Sequence, residues 1–170
     1  MNPGLLVDTN VYAAFKRGHA AVLDEMRRAS EIVLCPVVLG ELRGGFAFSS
    51  RERENVRELE EFMAGPRVRL ISLTDRTSVF YARVYRALRR KARPIPANDI
   101  WIAASAMEHG LVVLSFDRHF EEIDGLAVRL PLGFVLRFSG SRSGRRPPRP
   151  APPPCPSRGV RRGTGTRAPR

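Results

Sequence analysis

Asp8, Glu41, Asp99 and Asp117 each stand beside a predicted strand or helix boundary, far apart in the chain. Carboxylates brought together from such places repel one another unless they share a cation. Mg²⁺ takes oxygen ligands in near-octahedral geometry at about 2.0–2.1 Å and commonly keeps several waters beside a few carboxylates. Asp8, Asp99 and Asp117 could supply those carboxylates, with Glu41 either ligating or holding a water. The chemistry that follows is metal-dependent attack on a phosphodiester. Close packing without metal predicts raised carboxyl pKa values through mutual repulsion. Taken singly, each acid has an ordinary explanation: Asp8 and Asp99 as helix caps, Glu41 as a solvated helix residue, Asp117 as the start of a turn. The combination carries more than any member.

The elements that must position these acids follow from periodicity. Short β-rich runs at Leu5 to Val7, Ile32 to Leu34, Val68 to Ile71, Leu111 to Leu114 and Ala127 to Leu130 predict strands. Between them, Asn10 to Arg17, His19 to Ser30, Pro36 to Arg43, Glu52 to Met63 and Thr74 to Lys91 predict helices. A last helix starts at Asn98, a good N-cap, and stops near Gly110. Its run from Ile100 to Met107 is apolar nearly all round, which predicts burial. Alternating strands and helices predict a parallel sheet covered on both faces, with ligands at the carboxyl ends of the strands. Asp8 and Asp117 fall at or just beyond two such ends.

The chain has 170 residues and a formal charge of +12, and its length suits one domain. All 17 acids precede residue 137, leaving 19 basic residues against them in the first 136 positions. Residues 141–170 contain nine arginines, no acid, and 23 Gly, Ala, Arg or Pro among 30. That composition cannot build a core, so residues 134–170 are expected to be a disordered tail after a domain of residues 1–133. The high charge describes the tail, which reads either as a basic arm that binds RNA nonspecifically or as the product of an altered reading frame. Cys35 and Cys155 make no disulfide framework, and Cys35 reads as a core residue. No signal peptide is evident, and no apolar run approaches the ~20 residues that span a bilayer. A soluble, cytoplasmic protein is expected.

Residues 4 to about 130 resemble a PIN-domain ribonuclease of the VapC toxin type. The resemblance is carried by Leu-Val-Asp-Thr-Asn at 6–10, Pro-Val-Val-Leu-Gly-Glu-Leu-Arg at 36–43, Pro-Ala-Asn-Asp-Ile-Trp-Ile-Ala-Ala at 96–104 and Glu-His-Gly-Leu-Val-Val-Leu-Ser-Phe-Asp-Arg-His-Phe at 108–120. It implies a three-layer α/β/α PIN-like domain with a central parallel sheet, dependence on Mg²⁺ or Mn²⁺, and endonucleolytic hydrolysis of RNA to a 5′-phosphate and a 3′-hydroxyl. It further implies a toxin countered by a cognate antitoxin, and a homodimer. By position, the catalytic set is Asp8, Glu41, Asp99 and Asp117, with metal held by Asp8, Asp99 and Asp117. Thr9 is then the hydroxyl that supports the first aspartate.

Other residues invite weaker readings. Arg83, Arg86, Arg90 and Arg93 recur at spacings of three, four and three, forming either a phosphate-contacting rail or a solvated helix face. Trp101, Tyr81 and Tyr85 could stack bases, or pack a core or dimer. His19 and His109 occupy predicted helix ends, and His119, beside Asp117, could be a general acid. Arg43, Gly44 and Gly45 read as a substrate or antitoxin contact, or as a helix end with glycine stops. Three rival classes remain. A haloacid-dehalogenase pattern needs an acid two residues beyond Asp8, where Asn10 stands. A receiver-type phosphoacceptor domain needs a lysine near its last strand, and neither Lys16 nor Lys91 suits. A noncatalytic PIN-like module would bind RNA or an antitoxin, and the presence of all four acids counts against it.

Overall fold

In a computed structural model of the chain, residues 2–131 are described. The expected domain end at 133 and the tail lie outside them. Five strands, β1 (Leu5–Val7), β2 (Ile32–Leu34), β3 (Val68–Leu70), β4 (Val112–Leu114) and β5 (Val128–Arg129), alternate with six helices. The helices are α1 (Thr9–Lys16), α2 (Ala20–Arg28), α3 (Pro36–Phe46), α4 (Glu52–Met63), α5 (Asp75–Arg90) and α6 (Ala97–His109). Each predicted strand and helix has its counterpart, shifted by a few residues at most.

All strand pairs are parallel, in the order β3-β2-β1-β4-β5. The chain builds outward from β1 through β2 to β3, then crosses to the other side for β4 and β5. Right-handed crossovers therefore put α1 to α4 and α5 to α6 on opposite faces, giving the three-layer α/β/α arrangement. α1 packs on α2 and α3, α3 on α4, and α5 on α6. A receiver domain has the order 2-1-3-4-5, so topology separates this chain from that rival.

The core explains the sequence pattern. β1 and β2 are buried along their whole length, as strands covered on both faces must be, and for that reason they read as continuous apolar runs. Ile100, Ile102, Ala103, Ala104, Ser105 and Ala106 of α6 are all buried, and Cys35 is fully buried. Gly110 closes α6 at φ 64°, a left-handed position that glycine adopts without strain. Among the described residues no helix is long and apolar enough to cross a membrane.

Three local expectations need correction. The N-cap of α6 is Pro96, two residues earlier than the predicted Asn98, so Asn98 lies inside the first turn and its side chain is released for another task. Gly44 and Gly45 do not stop α3, which continues to Phe46; a helix tolerates glycine at a modest cost of about 1 kcal/mol. α5 ends at Arg90, and Ala92 then takes φ 53°. Arg93 is thereby turned off the helix, and the four-arginine stripe is reduced to three.

Candidate active site

The order of the strands places a crevice where connections diverge, between β1 and β4, at their carboxyl ends. Val7 pairs with Leu114, so the next residues, Asp8 and Ser115, emerge side by side. The Asp8 backbone N–H donates to Leu114 O at 3.1 Å, extending the ladder one step. Asp8 is 4% exposed. Its Oδ1 accepts from the Thr9 backbone N–H at 2.7 Å, capping α1, and its Oδ2 accepts from the Ser115 hydroxyl at 2.6 Å. The capping and the functional readings of Asp8 thus both hold a place in the geometry: one oxygen serves the helix and the other faces the crevice wall.

From Ser115 the contacts run in two directions. Its Oγ accepts from the Asp117 backbone N–H at 3.0 Å and from Asn10 Nδ2 at 3.3 Å. Asn10 Nδ2 also donates to Asp117 Oδ2 at 2.8 Å, fixing that carboxylate beside the first. On the other side, the Thr9 hydroxyl donates to Glu41 Oε2 at 2.5 Å, and Asn98 Nδ2 donates to Glu41 Oε1 at 2.6 Å. Thr9 thus supports Asp8 through its backbone, while its hydroxyl serves Glu41. Glu41 is a pinned, half-buried group joining α3 to α1 and α6, and not a solvated helix residue.

Asp99 projects from the first turn of α6, where the helix N-terminus favours negative charge. Its side chain is 15% exposed, and His119 Nε2 stands 3.5 Å from its Oδ2. His119 belongs to a 3₁₀ turn over Arg118–Glu122. Though beside Asp117 in sequence, His119 is carried by the turn to Asp99.

The electrostatics tie the four acids into one field. Burial pushes the Asp8 carboxyl above its ordinary value; hydrogen bonds from Ser115 and Thr9 oppose this, and Asp117 and Glu41 reinforce it. Burial, then Asp8, holds Asp99 up at about 6, with His119 opposing and Asp117 and Glu41 adding. Mutual repulsion is therefore real, but desolvation is the larger cause for both groups. Among the described residues no group of three or more Asp, Glu, His or Cys side chains is gathered closely enough to hold a metal ion by itself. The set nevertheless fits a hard divalent cation: its donors are carboxylate oxygens, two of them poorly solvated, and Mg²⁺ readily completes its shell with water.

Asn10, Asn98 and Ser115 were not singled out as site residues from the sequence. A signal was present, since all three lie within one or two positions of the acids, in Asp-Thr-Asn, Asn-Asp and Ser-Phe-Asp. Trp101 and Tyr81, by contrast, spend their faces on each other at 4.3 Å between ring centroids, and Tyr85 stacks on Tyr81 at 6.2 Å. Tyr81 and Trp101 thereby pack α5 against α6, with Tyr85 stacked beside them on α5. Phe116, next to Asp117 in the chain, is 39% exposed and edge-on to His19 at 5.5 Å.

The fold and sequence have counterparts among known proteins. Residues 5–126 match the PIN domain family. Ribonuclease VapC4 of Mycobacterium tuberculosis is 30% identical over 124 residues, covering 72% of this chain and 93% of that protein. Among solved structures, VapBC-5 of M. tuberculosis, described as a member of the VapBC family of toxin-antitoxin systems, superposes with a TM-score of 0.59 at 27% identity over 75% of this chain and 97% of its own. DNA-bound VapBC from Salmonella typhimurium gives 0.68 at 24% identity, covering 78% of this chain and all of the matched one, a likeness of fold. The chain belongs to the PIN-domain family and sits among its VapC members.

Proposed function

We propose that this protein is the toxin of a toxin-antitoxin pair, a divalent-metal-dependent endoribonuclease whose site is Asp8, Glu41, Asp99 and Asp117. The observation that carries the reading is the shared field of four carboxylates at the β1/β4 crevice, in a chain whose relatives are named as VapC ribonucleases. Asp8 and Asp99, with Asp117, are the residues that would hold Mg²⁺ or Mn²⁺. When bound, such an ion supplies charge neutralisation at a phosphate and lowers the pKa of a water.

The protein's own residues supply position. Asn10 and Ser115 hold Asp117 and Asp8 at a fixed separation against their repulsion. Thr9 and Asn98 fix both oxygens of Glu41, which keeps spare acceptor capacity as a carboxylate. Glu41 then orients the attacking water or takes its proton, while the P–O3′ bond breaks in line, leaving a 5′-phosphate and a 3′-hydroxyl. A cognate antitoxin would silence the site, and a homodimer is the expected assembly.

The test is cleavage of defined RNAs with and without Mg²⁺, followed by analysis of the ends. D8N is the control, because asparagine caps a helix about as well as aspartate and so preserves α1 while removing the charge. Loss of cleavage with an unchanged fold is the expected result. Full activity of D8N in Mg²⁺ would remove Asp8 from the chemistry, and absence of any cleavage by the wild type would favour a noncatalytic module.

A further inference from the structure

The acid site has a cationic neighbour. A cavity of about 440 Å³ is lined by Arg93, Pro94, Ile95, Arg118, His119 and Glu122, and it opens beside Asp99 through His119, which is 3.5 Å from that carboxylate. Its volume falls within the about 300–1,000 Å³ of small-ligand pockets. Arg93 and Arg118 are exposed, and neither side chain has a hydrogen bond or ion pair among the described residues. Other exposed arginines, Arg86 and Arg90 among them, are likewise without such a partner among the described residues; what sets Arg93 and Arg118 apart is that both line one cavity. Glu122 is the one acid of the lining, leaving a surplus of positive charge.

The backbone presents these groups deliberately. Ala92 holds a left-handed conformation at φ 53°, which costs a non-glycine residue about 1–2 kcal/mol. The turn swings Arg93 off the end of α5 and into the cavity wall, anchored by its backbone N–H donating to Leu88 O at 3.0 Å. Arg118 arrives from the opposite side, at the start of the 3₁₀ turn that follows Asp117. Two guanidinium forks thus line a cavity whose remaining wall joins apolar Ala92, Pro94 and Ile95 to His119 and Glu122.

We propose that this cavity is a nucleotide subsite of the RNA path. Arg93 and Arg118 clamp the phosphate next to the scissile one, and Pro94 and Ile95 support the sugar or base. A guanidinium pair suits a phosphate because each offers two parallel N–H donors to its oxygens. The inference rests on the ribonuclease reading and deepens it, assigning substrate binding to residues outside the acidic set.

The test uses the full chain and a pool of single-stranded RNA oligonucleotides of randomised sequence. R93A, R118A and the double variant R93A/R118A are compared with R86A/R90A, which removes as much charge as the double variant, from the exposed face of α5. KM should rise about tenfold for each single pocket variant with kcat within about twofold, as loss of a charge-assisted contact predicts. In a D8N background the salt slope of binding should fall by about 0.7 per arginine; the arginine-rich tail is common to all variants and cancels. R93K should recover only part of the loss, since lysine restores charge without the fork. If the pocket variants bind and cleave like wild type, or are matched by R86A/R90A, the subsite is overturned while the ribonuclease reading stands. If wild type cleaves no RNA, the ribonuclease reading fails and the subsite with it.

Discussion

Replacing Asp99 by asparagine should make the metal-free protein more stable as it destroys its activity. Asp99 is held at about 6 against an ordinary 3.8, so the folded chain binds this proton more tightly than the unfolded one. Stability from that preference is present in full below about pH 4 and is lost as pH rises through about 6. At about 1.4 kcal/mol per unit, the loss is up to about 3 kcal/mol, and partial solvation of a side chain 15% exposed reduces it to roughly 1–3 kcal/mol. D99N has no proton to lose there. Urea unfolding in EDTA should therefore show D99N gaining on wild type between about pH 4 and pH 8. Excess Mg²⁺ should close the gap, because wild type binds it more tightly, and saturation at about 100 times Kd stabilises by about 2.7 kcal/mol. Parallel pH profiles in EDTA, or equal Mg²⁺ stabilisation of both proteins, would refute the shared-field account of the site.

Ser115→Ala removes the hydroxyl that donates to Asp8 Oδ2 at 2.6 Å; a hydrogen bond to a buried charge is worth about 1.5–3 kcal/mol, so cleavage should fall at least tenfold near neutral pH and recover partly as pH rises. A rate unchanged across that range would show that Ser115 does not tune Asp8. Tyr12 is buried with an unpartnered hydroxyl, and burial, then Glu58, pushes its pKa up to about 12. Tyr12→Phe should be neutral or stabilising by about 1 kcal/mol in urea unfolding, and a clear loss of stability would reveal a partner for the hydroxyl. Ala92→Gly relieves the left-handed turn and should raise stability by up to about 1 kcal/mol, measured as a shift in the urea midpoint.

The parts of this molecule that were legible in its sequence are those set by local periodicity. Strand and helix positions follow from apolar runs that the parallel sheet requires on both faces, and the all-round apolar stretch of α6 forecast its burial. What could not be read is the partner of each polar side chain, because it depends on strand register and on where a helix begins. Asn98 illustrates this. As an N-cap it would have bonded its own helix; with the helix capped two residues earlier at Pro96, its amide is free to reach Glu41, 57 residues away in sequence.

Register governs the rest of the site in the same way. Val7 opposite Leu114 places Ser115 against Asp8, and a slip of one strand by one residue would turn its side chain to the other face and part the two. The acids could be picked out by type and boundary position, since few other roles need four carboxylates at strand and helix ends. The neutral residues that hold them are common types in turns, where capping explains most of them. Asn10 shows the difference: in sequence it was given no role in the site, and in the fold it donates to Asp117 and Ser115 and accepts from the Phe116 backbone. An acidic residue there would add a charge and remove the donor that fixes Asp117. The amide thus accounts for the site's having its acids on four separate segments, with neutral donors between them: carboxylates close enough to share a cation must be held against repulsion when none is bound.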